Sequence, residues 1–140
     1  MRPLAIFALL FLLGLPLRAE EAASPADAAA IRAVIESQLA AFQRDDGEEA
    51  FAYASPQIRE RFATAANFMR MVREGYAAVY RPRDTAFGAL AADGEHLVQR
   101  VLLIGPDGRP VDALYIIERE ADGSWRIAGC ILTQTPDKTS

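Results

Sequence analysis

Trp125-Arg126-Ile127-Ala128-Gly129-Cys130-Ile131-Leu132 closes a series of four apolar runs that begins near Arg83. Branched and aromatic residues crowd these runs, and short segments rich in aspartate and glycine separate them, which is the pattern of strands and tight turns. Residues 85–91, 95–104, 109–120 and 124–135 are therefore predicted as strands. The separators Ala92-Asp93-Gly94, Gly105-Pro106-Asp107-Gly108 and Ala121-Asp122-Gly123 are turns, where glycine takes positive φ and aspartate bonds its own backbone. Connections this short join neighbouring strands, so the series is one antiparallel meander.

The loop lengths also give a register. A four-residue loop at 105–108 sets Ile104 opposite Arg109, Val98 opposite Tyr115 and Val101 opposite Asp112. A three-residue loop at 121–123 sets Glu118 opposite Arg126, Tyr115 opposite Gly129 and Leu114 opposite Cys130. On that register one face carries Val98, Arg100, Leu102, Ala113, Tyr115 and Ile117. The other carries Val101, Leu103, Asp112, Leu114, Ile116 and Cys130. Both faces are apolar, and helices can cover only one, so the second is expected to pack against a second copy of the chain. A one-residue error in either loop exchanges the faces of a strand.

Working backward, the chain ahead of the strands reads as helix. Ser24-Pro25-Ala26-Asp27 supplies an N-cap, a proline at the first helical position and an acid in the first turn. Ile31, Val34, Ile35, Leu39 and Phe42 recur at helical spacing, which predicts one long helix over 25–44. Asp45-Asp46-Gly47 ends it, and an aspartate caps a short segment through Phe51 and Tyr53. Ser55-Pro56 repeats the cap-and-proline signal before 57–62, and Thr64 opens a further helix with Phe68, Met71 and Val72 on one face. Residues 76–83 show no periodicity and read as an irregular connection.

A chain of 140 residues with 51% hydrophobic and 24% charged residues matches a single globular domain. Met1-Arg2, the apolar run Leu4 to Leu15 and the small residue Ala19 have the form of a secretory signal peptide over 1–19, too short in its apolar part to span a bilayer. The expected organisation is a signal peptide at 1–19, one α+β domain at 20–135 and a flexible tail at 136–140, with the product exported to the periplasm or beyond and holding no stable membrane anchor. Loss of 1–19 removes Arg2 and Arg18 and no acid, so the mature chain is more acidic than the formal −4 of the whole. No basic stripe with interleaved aromatic residues occurs, which argues against nucleic acid as a partner. Cys130 is the only cysteine, so no internal disulfide can form.

Tyr76-Ala77-Ala78-Val79-Tyr80-Arg81-Pro82-Arg83, the segment from Gln99 to Gly108 and Trp125-Arg126-Ile127-Ala128-Gly129-Cys130 are similar to the recurring blocks of a bacterial family catalogued as domain of unknown function 4864. The element order resembles the nuclear transport factor two-like superfamily, which includes ketosteroid isomerase and scytalone dehydratase. The resemblance implies a long N-terminal helix and short helices on a curved four-stranded antiparallel sheet that wraps a cone-like cavity. It implies no activity, since members of that superfamily use the cavity for catalysis or for binding alone.

The candidate site residues follow from chemistry. Asp112 interrupts an apolar strand, where desolvation would raise a carboxylate toward the range of a general base. Arg100 on an apolar face needs a carboxylate or an anionic ligand. Tyr53, Tyr76, Tyr80 and Tyr115 are candidate hydrogen-bond donors, or packing residues whose hydroxyls reach the rim. Cys130 reads as a small buried residue before it reads as a nucleophile, because no base accompanies it in sequence. His96, the sole histidine, lies at a turn edge without further ligands, so no metal or cofactor is expected. The sequence favours a non-catalytic module binding a small apolar or anionic ligand, or a protein partner. The alternative is a cofactor-independent lyase or isomerase with Asp112 as base.

Overall fold

The computed structural model describes residues 23–134; the expected signal peptide at 1–19 and the tail at 136–140 lie outside them. Five helices pack on one open, four-stranded antiparallel sheet. The helices are α1 (Pro25–Gln43), α2 (Gly47–Ala52), α3 (Pro56–Phe62), α4 (Ala65–Gly75) and α5 (Ala77–Tyr80). The strands are β1 (Asp84–Asp93), β2 (His96–Ile104), β3 (Pro110–Arg119) and β4 (Trp125–Gln134), paired in chain order.

Local chemistry starts the first four helices where the sequence points. The Ser24 hydroxyl accepts from the Asp27 N–H while the Asp27 carboxylate accepts from the Ser24 N–H, a complete capping box on α1. Asp46, Ser55 and Thr64 cap α2, α3 and α4 with single side-chain acceptors. The connection expected to be irregular contains α5, whose single turn buries Ala78 and Val79 against the core. One amphipathic turn is too short for periodicity to reveal.

Ile31, Ile35, Leu39 and Phe42 of α1 are buried, and burial of side chains this size contributes ~1.5–3 kcal/mol each. Phe68 of α4 gathers Phe42, Phe51 and Phe62 around it at ring separations of 6.1, 5.3 and 5.9 Å. This aromatic cluster joins four helices and faces the inner side of the sheet, which presents Leu97, Val101, Leu103, Ala113, Tyr115, Ile117 and Ile127.

The expected register holds in one place and shifts in two. Glu118 faces Arg126, as the short loop after β3 requires. Between β2 and β3, however, Ile104 pairs with Pro110, Val98 with Ile116 and Val101 with Ala113, each one residue from expectation. The loop is five residues: the Gly105 N–H bonds the Arg109 carbonyl, so Arg109 belongs to the turn and Gly108 sits at φ 81°. Farther along β4, Ala128 has no partner, and this bulge shifts Tyr115 from Gly129 to Cys130 and Leu114 from Cys130 to Ile131. Alternation turns each shift into an exchange of faces. Val101, Leu103, Tyr115 and Cys130 share the inner face, while Arg100, Leu102, Asp112, Leu114 and Ile116 share the outer one.

A second bulge lies in β1, where Gly88 and Ala89 together oppose Arg100. The buried Gln99 donates its side-chain amide to the carbonyls of Gly88 and Arg100 at 3.0 and 2.8 Å. A polar residue on the inner face thus satisfies backbone groups that the bulge leaves unpaired.

Candidate functional site

The bulge at Ala128 and the segment joining α2 to α3 build one wall of a cavity together. The Ser55 N–H donates to the Ile127 carbonyl at 2.8 Å and the Ile127 N–H donates to the Tyr53 carbonyl at 2.9 Å. These bonds cover the edge of β4 just before the bulge and hold the start of α3 beside it. From the other side, the Tyr76 hydroxyl donates to the Cys130 carbonyl at 3.1 Å, anchoring the end of α4 to the same edge. Between the anchors lies a cavity of about 440 Å³, within the range of small-molecule sites.

Its walls are mainly apolar: Phe42, Ile58, Phe62, Phe68, Met71 and Val72 from the helices, Ile127 and Ala128 from β4. Gly129 also borders it, and a side chain there would meet the Ile116 Cδ1 atom at 3.3 Å, so glycine lets Ile116 fold over the strand. Polar groups are few and specific. Tyr115 projects from the sheet, 1% exposed, and its buried hydroxyl has no nitrogen or oxygen partner among the described residues, only the Cys130 thiol, a weak partner, alongside. The Cys130 thiol faces it from the paired position on β4. Burial pushes the thiol up to about 12 from its ordinary 9.0, with the tyrosine hydroxyl opposing in part. Burial, and then the neighbouring sulfur, raise Tyr115 well above the ordinary phenol value. Both groups are therefore neutral at physiological pH. Among the described residues that line the cavity, Arg61 is the only charged one; it is exposed, so it stands at the mouth.

Of the residues singled out in the sequence, Tyr76, Tyr115 and Cys130 meet here. Tyr53 and Tyr80 do not. The Tyr53 hydroxyl donates to Glu49 at 3.1 Å. The Tyr80 hydroxyl donates to Asp45, which also pairs with Arg81 at 2.9 Å, so these side chains lock the turn after α1. That hydrogen bond lowers the Asp45 carboxyl and raises the Tyr80 phenol.

Asp112 and Arg100, expected on opposite faces, occupy the same outer face and bind each other. Arg100 Nε and Nη2 donate to Asp112 Oδ1 and Oδ2 at 3.1 and 2.6 Å, a two-pronged pair that raises the guanidinium further. Neither residue lines the cavity. The sequence also gave no notice of Arg61, although Ile58 and Phe62, four apart on a capped helix, marked the apolar side of its turn.

Among the described residues no three His, Cys, Asp or Glu side chains converge as a metal site requires. His96 is half-exposed, 3.9 Å from Glu118. No described helix is long and apolar enough to cross a membrane.

Fold and cavity define a small α+β protein whose helices and sheet line an apolar pocket in which Gln38 and Tyr115 are the buried polar residues. The chain belongs to the family described as Domain of unknown function (DUF4864), whose model matches residues 24–140. No curated protein matches it. No solved structure matches it either.

Proposed function

We propose that this chain is an exported, non-catalytic module that binds a small, largely apolar molecule between α3, α4 and the inner face of the sheet. The observation that carries the reading is the cavity itself: about 440 Å³, walled mainly by apolar side chains, with Gln38 and Tyr115 as its buried polar residues, which suits a small and largely apolar occupant. Catalysis finds less support: Tyr115 and Cys130 are held protonated, and Asp112, the candidate base, is outside the cavity and engaged with Arg100. Export rests on the basic start, apolar run and small residue of 1–19.

The proposal extends to ancestry: the fold is a cone-like member of the nuclear transport factor two-like superfamily, supported by the helix-covered inner face and by bulges in β1 and β4, which bend strands. It extends also to self-association through the outer face. Leu102 and Ile131 are 37% and 51% exposed there, among half-buried Val98, Leu114 and Ile116. Arg100 and Arg126 balance Asp112 and Glu118 on the same surface, so two copies related by a twofold axis meet without net charge repulsion.

The test is binding of an environment-sensitive fluorophore to the mature chain, with native mass spectrometry of the purified protein. One equivalent should bind to the wild type and none to Ile58→Trp, which fills the mouth from a half-buried position. Equal binding to both would refute the cavity as the site.

A further inference from the structure

We infer that the ligand is an amphipathic carboxylate, its apolar body in the cavity and its carboxylate on Arg61. The inference rests on the binding function just proposed and adds the charge and shape of the occupant.

Three observations carry it. First, Arg61 makes no ion pair, hydrogen bond or ring contact among the described residues. By contrast Arg59, two positions earlier on α3, lies over the Phe51 ring at 5.7 Å, and Arg44, Arg81 and Arg100 all have carboxylate partners. Second, no acid among the described residues lines the cavity, so no carboxylate in its wall opposes an anion there. Third, the polar groups are separated by depth: the Tyr115 hydroxyl is sealed inside, whereas Arg61 is exposed.

Depth decides which end of the ligand goes where. An anion placed at Tyr115 would lose its hydration among largely apolar walls with only neutral donors to compensate, which is unfavourable. An anion at Arg61 keeps part of its water and gains a planar, two-pronged donor that matches a carboxylate. A single guanidinium suits one negative charge better than the two of a phosphate monoester. The inner part of the ligand then lies against Phe62, Phe68 and Met71.

The experiment compares decanoate, decanol and decylamine, which share a tail and differ in the charge of the head. Each is titrated by calorimetry into wild-type mature chain, Arg61→Gln and Arg61→Lys at neutral pH and low salt. Decanoate should bind wild type about tenfold more tightly than decanol, as a charge-assisted contact implies, and decylamine more weakly than either. In Arg61→Gln the preference should vanish while decanol affinity is unchanged, which also shows that the cavity is intact. Arg61→Lys should restore part of it. Equal affinities of decanoate and decanol for the wild type would overturn the charge assignment and leave the cavity function standing. A preference that survives in Arg61→Gln would overturn the role of Arg61. Failure of all three probes to bind would remove the binding function itself.

Discussion

Tyr115 on β3 and Cys130 on β4 are direct cross-strand partners, and both present their polar atoms to the inner side of the sheet. A phenol and a thiol in this setting favour their protonated forms. The thiol titrates near 9.0 when exposed and near 12 in the fold, so the native chain holds an extra proton across that interval. The sign follows: this contribution to stability is fully present below about pH 9 and is lost as pH rises toward 12, and Tyr115 acts in the same direction. Chemical denaturation at stepped alkaline pH should show that decline, and Cys130→Ala should make it shallower.

The same desolvation predicts an unreactive thiol, although Cys130 itself is only half-buried. Alkylation of Cys130 by iodoacetamide near pH 9 should be roughly a hundredfold slower than that of a peptide cysteine, because so little thiolate is present. Denaturant should restore the ordinary rate. Mass spectrometry of quenched time points measures both, and a native rate near the peptide value would contradict the buried assignment.

Tyr115→Phe removes a buried hydroxyl whose sole neighbouring partner among the described residues is the weak Cys130 thiol, while keeping the ring that packs the inner face. The unliganded protein should be unchanged or stabilised by up to about 1 kcal/mol, with a higher Tm, since an unsatisfied donor is deleted. A destabilisation of more than about 2 kcal/mol would mean that the hydroxyl has a structural partner.

Arg100 and Asp112 should behave asymmetrically. Arg100→Ala leaves an 8% exposed carboxylate without its counter-ion and should cost about 1–2 kcal/mol. Asp112→Asn leaves a guanidinium that already reaches solvent and should cost less, with ligand binding unaffected. Loss of activity in Asp112→Asn with an intact melting curve would instead support the isomerase reading.

The wild-type chain from residue 20 onward should sediment as a dimer at equilibrium, and Leu102→Lys, on the outer face and clear of the cavity, should shift it toward monomer. A monomer at high concentration in the wild type would leave the outer face without a self-partner.

Much of this architecture was legible before any coordinates. Ser24-Pro25 and Ser55-Pro56 announce helix starts, and three aspartate-glycine turns announce a meander, because caps and turns depend on residues adjacent in the chain. Register was the point of failure. Arg109 is drawn into the loop by a hydrogen bond from Gly105, and Ala128 is left unpaired, where the strand edge is held by Tyr53 and Ser55 from more than seventy residues away. No local pattern reports such contacts.

The sequence by itself determined the order and type of every described element except α5, the apolar stripe of α1 and the composition of the sheet. Only the tertiary structure decided which residues meet: Arg100 with Asp112 outside, Tyr115 with Cys130 inside, Arg61 at the mouth. The physical reason is the two-residue alternation of a strand. A single residue gained in a loop or bulge reverses every side chain beyond it, and long-range packing settles whether that residue is gained.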